Sequence, residues 1–285
     1  MFSYNEMMKK VSIFAALVLF SVLFALAAPS DQEIEVSAGE AAVWYLYHNG
    51  FALKTQSALI IFDYWEPMDP PEHPALSNGF INPDEIREEH VYVIVSHGHG
   101  DHYDEKILSW KDSIPDITYI FGWPNTRIPD AICFGSRRIT KQIGPMSIKN
   151  IHHKFDGIPE SAFLIEVDGL TLYYSGDHGN SPGALNPIYK DNIDYLAGQA
   201  SQFDLVFLSI FGGPTYDGEL YAVKKFSPRV MLPMHLGDRE ARAKELVDRA
   251  SPKFIKTQFW YPKKQGDGFF YSGDQILPLR KNRDR

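Results

Sequence analysis

Ser96-His97-Gly98-His99-Gly100-Asp101-His102 sets three histidines and an aspartate within six residues, directly after the apolar run Val91–Val95. That run is almost unbroken in β-branched residues and reads as a buried strand. A strand end is a rigid platform, and Gly98 and Gly100 let the backbone turn tightly enough to aim several side chains inward. Imidazole and carboxylate donors together suit zinc, with manganese and iron as neighbours. The alternative is a polar turn that is His-rich by chance, and the spacing weighs against it. Cys133 is the only cysteine. Any metal must therefore be held by His, Asp or Glu, and no intramolecular disulfide can form.

The rest of the chain reads as short apolar runs separated by turns. Val43–Tyr47 and Ala58–Phe62 are expected as two strands joined by a turn at Asn49-Gly50. Further strands are expected at Tyr119–Phe121, Ser147–Ile151, Ala162–Val167, Leu170–Tyr174, Leu205–Ile210 and Val230–Leu232. Asp168-Gly169 between two of them is a hairpin signal. Helical patterns fall at Pro83–Glu89, Asp104–Trp110, Leu220–Phe226 and Asp238–Ala250, the last with Asp238 as its cap. Strands mixed with helices throughout indicate α/β layering in one domain. The 285 residues and their 44% hydrophobic content allow a sizeable core. The stretch Tyr64–Pro83 is rich in proline and aromatics and long for a connector, which suggests a lid or substrate loop.

The formal charge is −8, and no basic run stands out beyond the tail Arg280–Arg285. Phosphate binding needs a basic face, so nucleic acid is not expected as the main partner. Lys9 and Lys10 precede the apolar run Val11–Leu26, and Ala25-Leu26-Ala27 fits a cleavage site. This describes a secretory signal peptide over residues 1–28, leaving a domain over 29–285. The expected location is periplasmic or secreted, with a membrane anchor if the segment is retained. No later segment is long and apolar enough for a span, so no stable membrane span is expected after cleavage.

His97-x-His99-x-Asp101-His102 resembles the signature of the metallo-β-lactamase superfamily. The resemblance covers Val43–Gly237 and includes Tyr47-His48-Asn49-Gly50, Ser175-Gly176-Asp177 and Leu232-Pro233-Met234-His235. It is nearest to the branch of ascorbate-phosphate lactonase-like proteins and N-acyl-phosphatidylethanolamine phospholipase D, although His178 stands where that branch usually has Thr. The resemblance implies an αββα sandwich of two mixed sheets flanked by helices. It implies two divalent metal ions, zinc first, with Mn2+ or Fe2+ as alternatives. His97 and His99 would hold the first ion, Asp101 and His102 the second, with Asp177 between them and His235 as a late ligand. A further histidine ligand is due at His152-His153. Only one of the two should ligate, and His153 is favoured because the family ligand tends to sit a little beyond the strand end.

The activity implied is hydrolysis of an ester, lactone, amide or phosphodiester bond in a small-molecule or lipid-derived substrate. Two such ions lower the pKa of a shared water toward about 7, which makes hydroxide at neutral pH. Asp101 would help orient the nucleophile. His48 and His178 are candidates for protonating the leaving group, or for orienting a ligand. Tyr64, Trp65 and Phe211 could form an apolar wall, with the loop Phe211–Pro214 at its border. Two alternatives stand beside this reading: an iron-loaded redox member of the fold, and a metal-binding protein without turnover.

Overall fold

The structure is a computed structural model of the chain and describes residues 34–279 apart from 126, 156, 182, 212–214 and 238. The expected signal peptide, the basic tail, Gly212–Pro214 and the cap Asp238 lie outside the described residues.

The run Val91–Val95 forms a strand with all five residues buried, inside an eight-stranded sheet. That sheet contains β1 (Glu40–Tyr47), β2 (Gly50–Lys54), β3 (Leu59–Phe62), β4 (Val91–Val95), β5 (Ile117–Phe121) and β6 (Ile132–Cys133), in that spatial order. β14 (Gly268–Ser272) and β15 (Gln275–Pro278) extend it beyond β1. The second sheet has seven strands: β7 (Thr140–Ile143), β8 (Met146–Phe155), β9 (Ile158–Val167), β10 (Leu170–Tyr174), β11 (Leu205–Ser209), β12 (Val230–Met234) and β13 (Gln258–Phe259). Both sheets are mixed. β3 to β6 run parallel in the first and β10 to β13 in the second; the remaining pairs are antiparallel, hairpins in every case but β1 with β14.

Parallel neighbours need long crossovers, and in the second sheet these are helices. They are α1 (Pro187–Ala197), α2 (Asp217–Phe226) and α3 (Glu240–Ala250). The first sheet has a 3-10 segment, Glu105–Asp112, in the crossover from β4 to β5, capped by the Asp104 side chain. The sandwich is the expected αββα arrangement, with α-helices on the second sheet's crossovers and 3-10 turns on the first's. Between the sheets, Phe62 stacks on Tyr174 at 4.4 Å, and Phe207 packs against Phe51 at 5.0 Å. Among the described residues, no helix is long and apolar enough to cross a membrane.

Several elements differ from the sequence reading. The link from β1 to β3 contains a whole strand, β2, whose Gly50–Leu53 are buried. Pro83–Glu89 forms turns, closed by isolated bonds such as Glu85 N–H to Asn82 O and Glu89 N–H to Ile86 O. Helix α1 was not expected, because Lys190-Asp191-Asn192 and Asp194 hide its apolar face. That face is Tyr189, Ile193 and Leu196, at helical spacing and buried in the core. Asn186 caps it by accepting from Ile188 and Tyr189 N–H, and Pro187 takes the first turn, where no donor is missed. β12 reaches Met234, which places the next residue, His235, at the sheet edge.

Candidate metal centre

Each strand that carries chemistry ends at the same edge of the sandwich. β4 leads into His97, β3 into Asp63, β10 into Asp177, β12 into His235, and β1 into His48. Ser161 N–H donates to Ser96 O at 3.1 Å, which ties the second sheet to the first beside the cluster.

The donors fall into two groups. His97, His99 and Asp177 form one, and His48, Asp101, His102 and His235 the other; within each, one ligand atom per residue lies within 4.8 Å of all the rest. Asp177 lies between the groups. Its Oδ2 is 3.7 Å from His97 Nε2, while its Oδ1 is 3.2 Å from His102 Nε2 and 3.6 Å from His235 Nε2.

The turn that presents Asp177 is tightly built. Gly176 has φ +52°, and a Cβ there would lie 2.6 Å from Ser96 Cβ and 2.8 Å from Glu160 Oε1, so glycine is required. Ser209 Oγ donates to Gly176 O at 2.6 Å, and Asp177 N–H donates to Glu160 Oε1. The other Glu160 oxygen is 3.5 Å from His153 Nε2.

Asp63 is fully buried and organises the start of the motif. It accepts from Ser96 N–H, Ser96 Oγ and His102 Nδ1, each at 2.7 Å. A carboxylate on Nδ1 fixes the His102 tautomer and turns Nε2 toward Asp177. Asn49 Nδ2 also approaches that Nε2, at 2.8 Å. His48, Asp63 and His235 are three of the seven non-glycine residues with positive φ among those described, at 52°, 37° and 65°. Left-handed backbone costs a side chain roughly 1–2 kcal/mol, and such strain tends to collect at functional sites.

The electrostatics favour the neutral form of His97, His153 and His235 and the charged form of Asp177. Burial lowers His97, His153 and His235 to about 4, with neighbouring histidines adding to the effect. Burial also opposes charge on His102, but Asp63 and Asp177 outweigh it and raise its pKa well above the ordinary value. Asp177 is likewise desolvated, yet His102, His235 and His97 hold it below the usual carboxylate range. Burial and Asp177 push Glu160 well up. Contact with His48 holds Asp101 down. His97 and His235, neutral beside the ionised Asp177, offer the lone pairs a cation needs, and His102 would release its proton on binding one.

Several buried polar atoms lack a hydrogen bond: Asp177 Oδ1, His235 Nδ1, Glu160 Oε2, and both ring nitrogens of His48 and His153. Buried polar atoms are normally satisfied, so such a concentration fits a bound cation. The donor set of imidazoles and carboxylates fits zinc or a similar borderline ion.

Other expected residues sit as follows. His178 is buried, with Nδ1 2.8 Å from Tyr173 OH and Nε2 3.1 Å from Asn192 Nδ2. Arg137 donates to Asn192 Oδ1, so the amide presents its N–H to His178 Nε2. His152 and His153 point to opposite faces of β8, as successive strand residues do. His152 Nδ1 is 3.3 Å from both Gly122 O and Ser161 Oγ, whereas His153 packs on His178 at 4.8 Å. Neither belongs to the two donor groups. Trp65 and Phe211 border the site, 5.7 Å from His48 and 4.9 Å from His235. Tyr64 packs instead on Trp110, at 5.0 Å. Asp63 and Glu160 carried no sequence expectation. Asp63 could have been found as an acid placed directly after a buried strand; Glu160 left no local signal.

Clustered imidazoles and carboxylates at one edge of an αββα sandwich define a metal-dependent hydrolase of the metallo-β-lactamase class. The chain belongs to the family described as the beta-lactamase superfamily domain, which matches residues 42–235. A metal-dependent hydrolase from Desulforamulus reducens is 27% identical over 209 residues, covering 67% of this chain and 82% of that protein. One from Carboxydothermus hydrogenoformans is 26% identical, covering 68% and 83%. Among solved structures, a metallo hydrolase from Ignicoccus hospitalis shares the fold with a TM-score of 0.58 at 15% identity, covering 81% of this chain and 98% of that one. The diiron beta-hydroxylase CmlA from Streptomyces venezuelae shares it at a TM-score of 0.60 and 11% identity, covering 87% of this chain and 55% of that one.

Proposed function

We propose that the chain holds two divalent cations, zinc first, and hydrolyses an ester, lactone, amide or phosphodiester bond in a small-molecule substrate. The position of the Asp177 carboxylate, with one oxygen toward each donor group, carries this reading. His97, His99 and Asp177 would hold the first ion; Asp101, His102 and His235 would hold the second, sharing Asp177. Such a pair, when bound, supplies a water of lowered pKa and an electrophile for the carbonyl or phosphoryl oxygen.

We assign the third imidazole of the first site to His152, against the sequence preference for His153. A ligating histidine usually holds its other nitrogen on a carbonyl or carboxylate, and His152 Nδ1 faces Gly122 O. His153 shares its face of β8 with Ile151, beside His178 and Glu160.

The remaining roles follow from exposure and bonding. Asp101 is the more open carboxylate, 39% exposed at the side chain, and suits contact with water and substrate. Both His178 nitrogens are engaged, which supports a positioning role under His153 and not proton transfer. Trp65 and Phe211 would exclude water on one side. A depression lined by Gly98, Trp123, Asn125 and Arg127 offers space for substrate on another.

The test is elemental analysis of the purified protein with a panel of lactones, phosphodiesters, esters and amides, read against His99→Ala. Two equivalents of metal and turnover on one class, lost in His99→Ala, support the reading. Turnover equal to the variant's on every class would overturn it.

A further inference from the structure

We infer that His48 is itself a ligand of the second cation, which makes that site a four-residue cage of His48, Asp101, His102 and His235 with the shared Asp177. The inference rests on the two-cation reading and adds a donor from the β1–β2 turn.

His48 occupies that turn in left-handed backbone, φ 52°, with its N–H donated to Tyr45 OH at 2.8 Å. The residue is 4% exposed. Nδ1 has no hydrogen bond, and Nε2 faces only the Asp101 carboxylate. Nε2 lies 3.2 Å from Asp101 Oδ2, and the ring sits 4.4 Å from that of His235. His178 shows how a structural buried histidine looks in this protein, since both its nitrogens are bonded to neighbours. His48 differs from His178, and from His153, in its left-handed backbone, its Nε2 turned to a partly exposed carboxylate, and donor atoms of three other residues within reach. His235 repeats the pattern, also with positive φ and an unbonded buried Nδ1. Two left-handed histidines thus face each other across one donor group. Three imidazoles with carboxylates favour zinc or another borderline cation over magnesium or calcium, which prefer all-oxygen sites.

The test uses His48→Gly and His48→Asn, because both residues accept left-handed backbone, with circular dichroism and melting to establish folding. Zinc binding by equilibrium dialysis and the absorption spectrum of the cobalt-substituted protein are compared with wild type and with His90→Gln, an exposed histidine away from the cluster. The wild type and His90→Gln should bind two ions. The His48 variants should keep one and bind the other more than about 100-fold more weakly, beyond the 10–100-fold that loss of a group orienting a ligand costs, with altered cobalt bands. Unchanged second-ion affinity and spectrum in both variants would overturn the role of His48 and leave the two-cation reading standing. A wild type that binds fewer than two ions would overturn both. A measurement independent of any variant is long-range proton–nitrogen NMR of the cadmium-113-loaded wild type. Coupling of a His48 ring nitrogen to cadmium supports the assignment, and its absence overturns it.

Discussion

The two donor groups are built differently. The first, His97, His99 and Asp177, projects from the ends of two buried strands, β4 and β10, and its turns are enforced by glycine and serine contacts. The second takes two of its four members, His48 and His235, from left-handed backbone, and its carboxylate Asp101 is partly open to solvent. The first group is therefore the more rigidly held, and the second the more strained, with the more exposed carboxylate. Strain at the second is held by the surrounding sandwich, which over-determines both turns. One cluster thus combines a rigid half and a strained, more accessible half, with the Asp177 carboxylate turned to both.

Removing that common carboxylate should have the largest effect. Asp177→Ala should empty both sites and abolish turnover, as read by metal content and rate together. Retention of two equivalents would break the picture of a shared ligand.

His152→Ala should come next, with loss of tight binding of one ion while His153→Ala keeps both. The reverse pattern would return the third imidazole to His153 and change which face of β8 serves the first group.

Asp63→Asn should be milder. It keeps the shape and weakens the hold on His102 Nδ1, so an effect of about 10–100-fold on metal affinity or rate is expected, mainly at the second ion. An equal loss of both ions would mean that the groups are less separable than their construction suggests.

The smallest effect concerns pH. His97 in the first group and His235 in the second titrate at about 4 when folded, lowered by burial. The unfolded chain, with ordinary values near 6.5, binds more protons between those limits. Stability of the metal-free protein should therefore fall as pH drops from about 6.5 to about 4. His102 does not offset this, because both states hold its proton through most of that window, and Glu160, whose raised value acts in the opposite sense, is outnumbered by His97, His153 and His235. Urea midpoints across the range check it, and a flat profile would mean that neither group is held neutral by the fold.

Much of the site was legible because the residues lie at strand ends with recognisable neighbours. His97 to His102 follow the buried β4, Asp177 follows β10 in Ser175-Gly176-Asp177, and His235 follows β12. Strands alternating with helical patterns made α/β layering legible, while the αββα sandwich followed from the family resemblance carried by the His97–His102 motif. Helix α1 was not, because its buried stripe of Tyr189, Ile193 and Leu196 is interleaved with charged residues that face solvent. β2 was hidden because a five-residue strand between close turns resembles a connection.

The sequence by itself determined that His, Asp and Glu must do any metal work, and that a stiff strand delivers a dense donor motif at its end. Local pattern suffices for that, since spacing and backbone freedom are properties of neighbours along the chain. Folding alone brings Asp63 onto His102, Glu160 onto the Asp177 turn, partners to both sides of His178, and His48 opposite His235. Those relations join residues far apart in sequence, and burial, pairing and strain exist only once the two sheets close on one another.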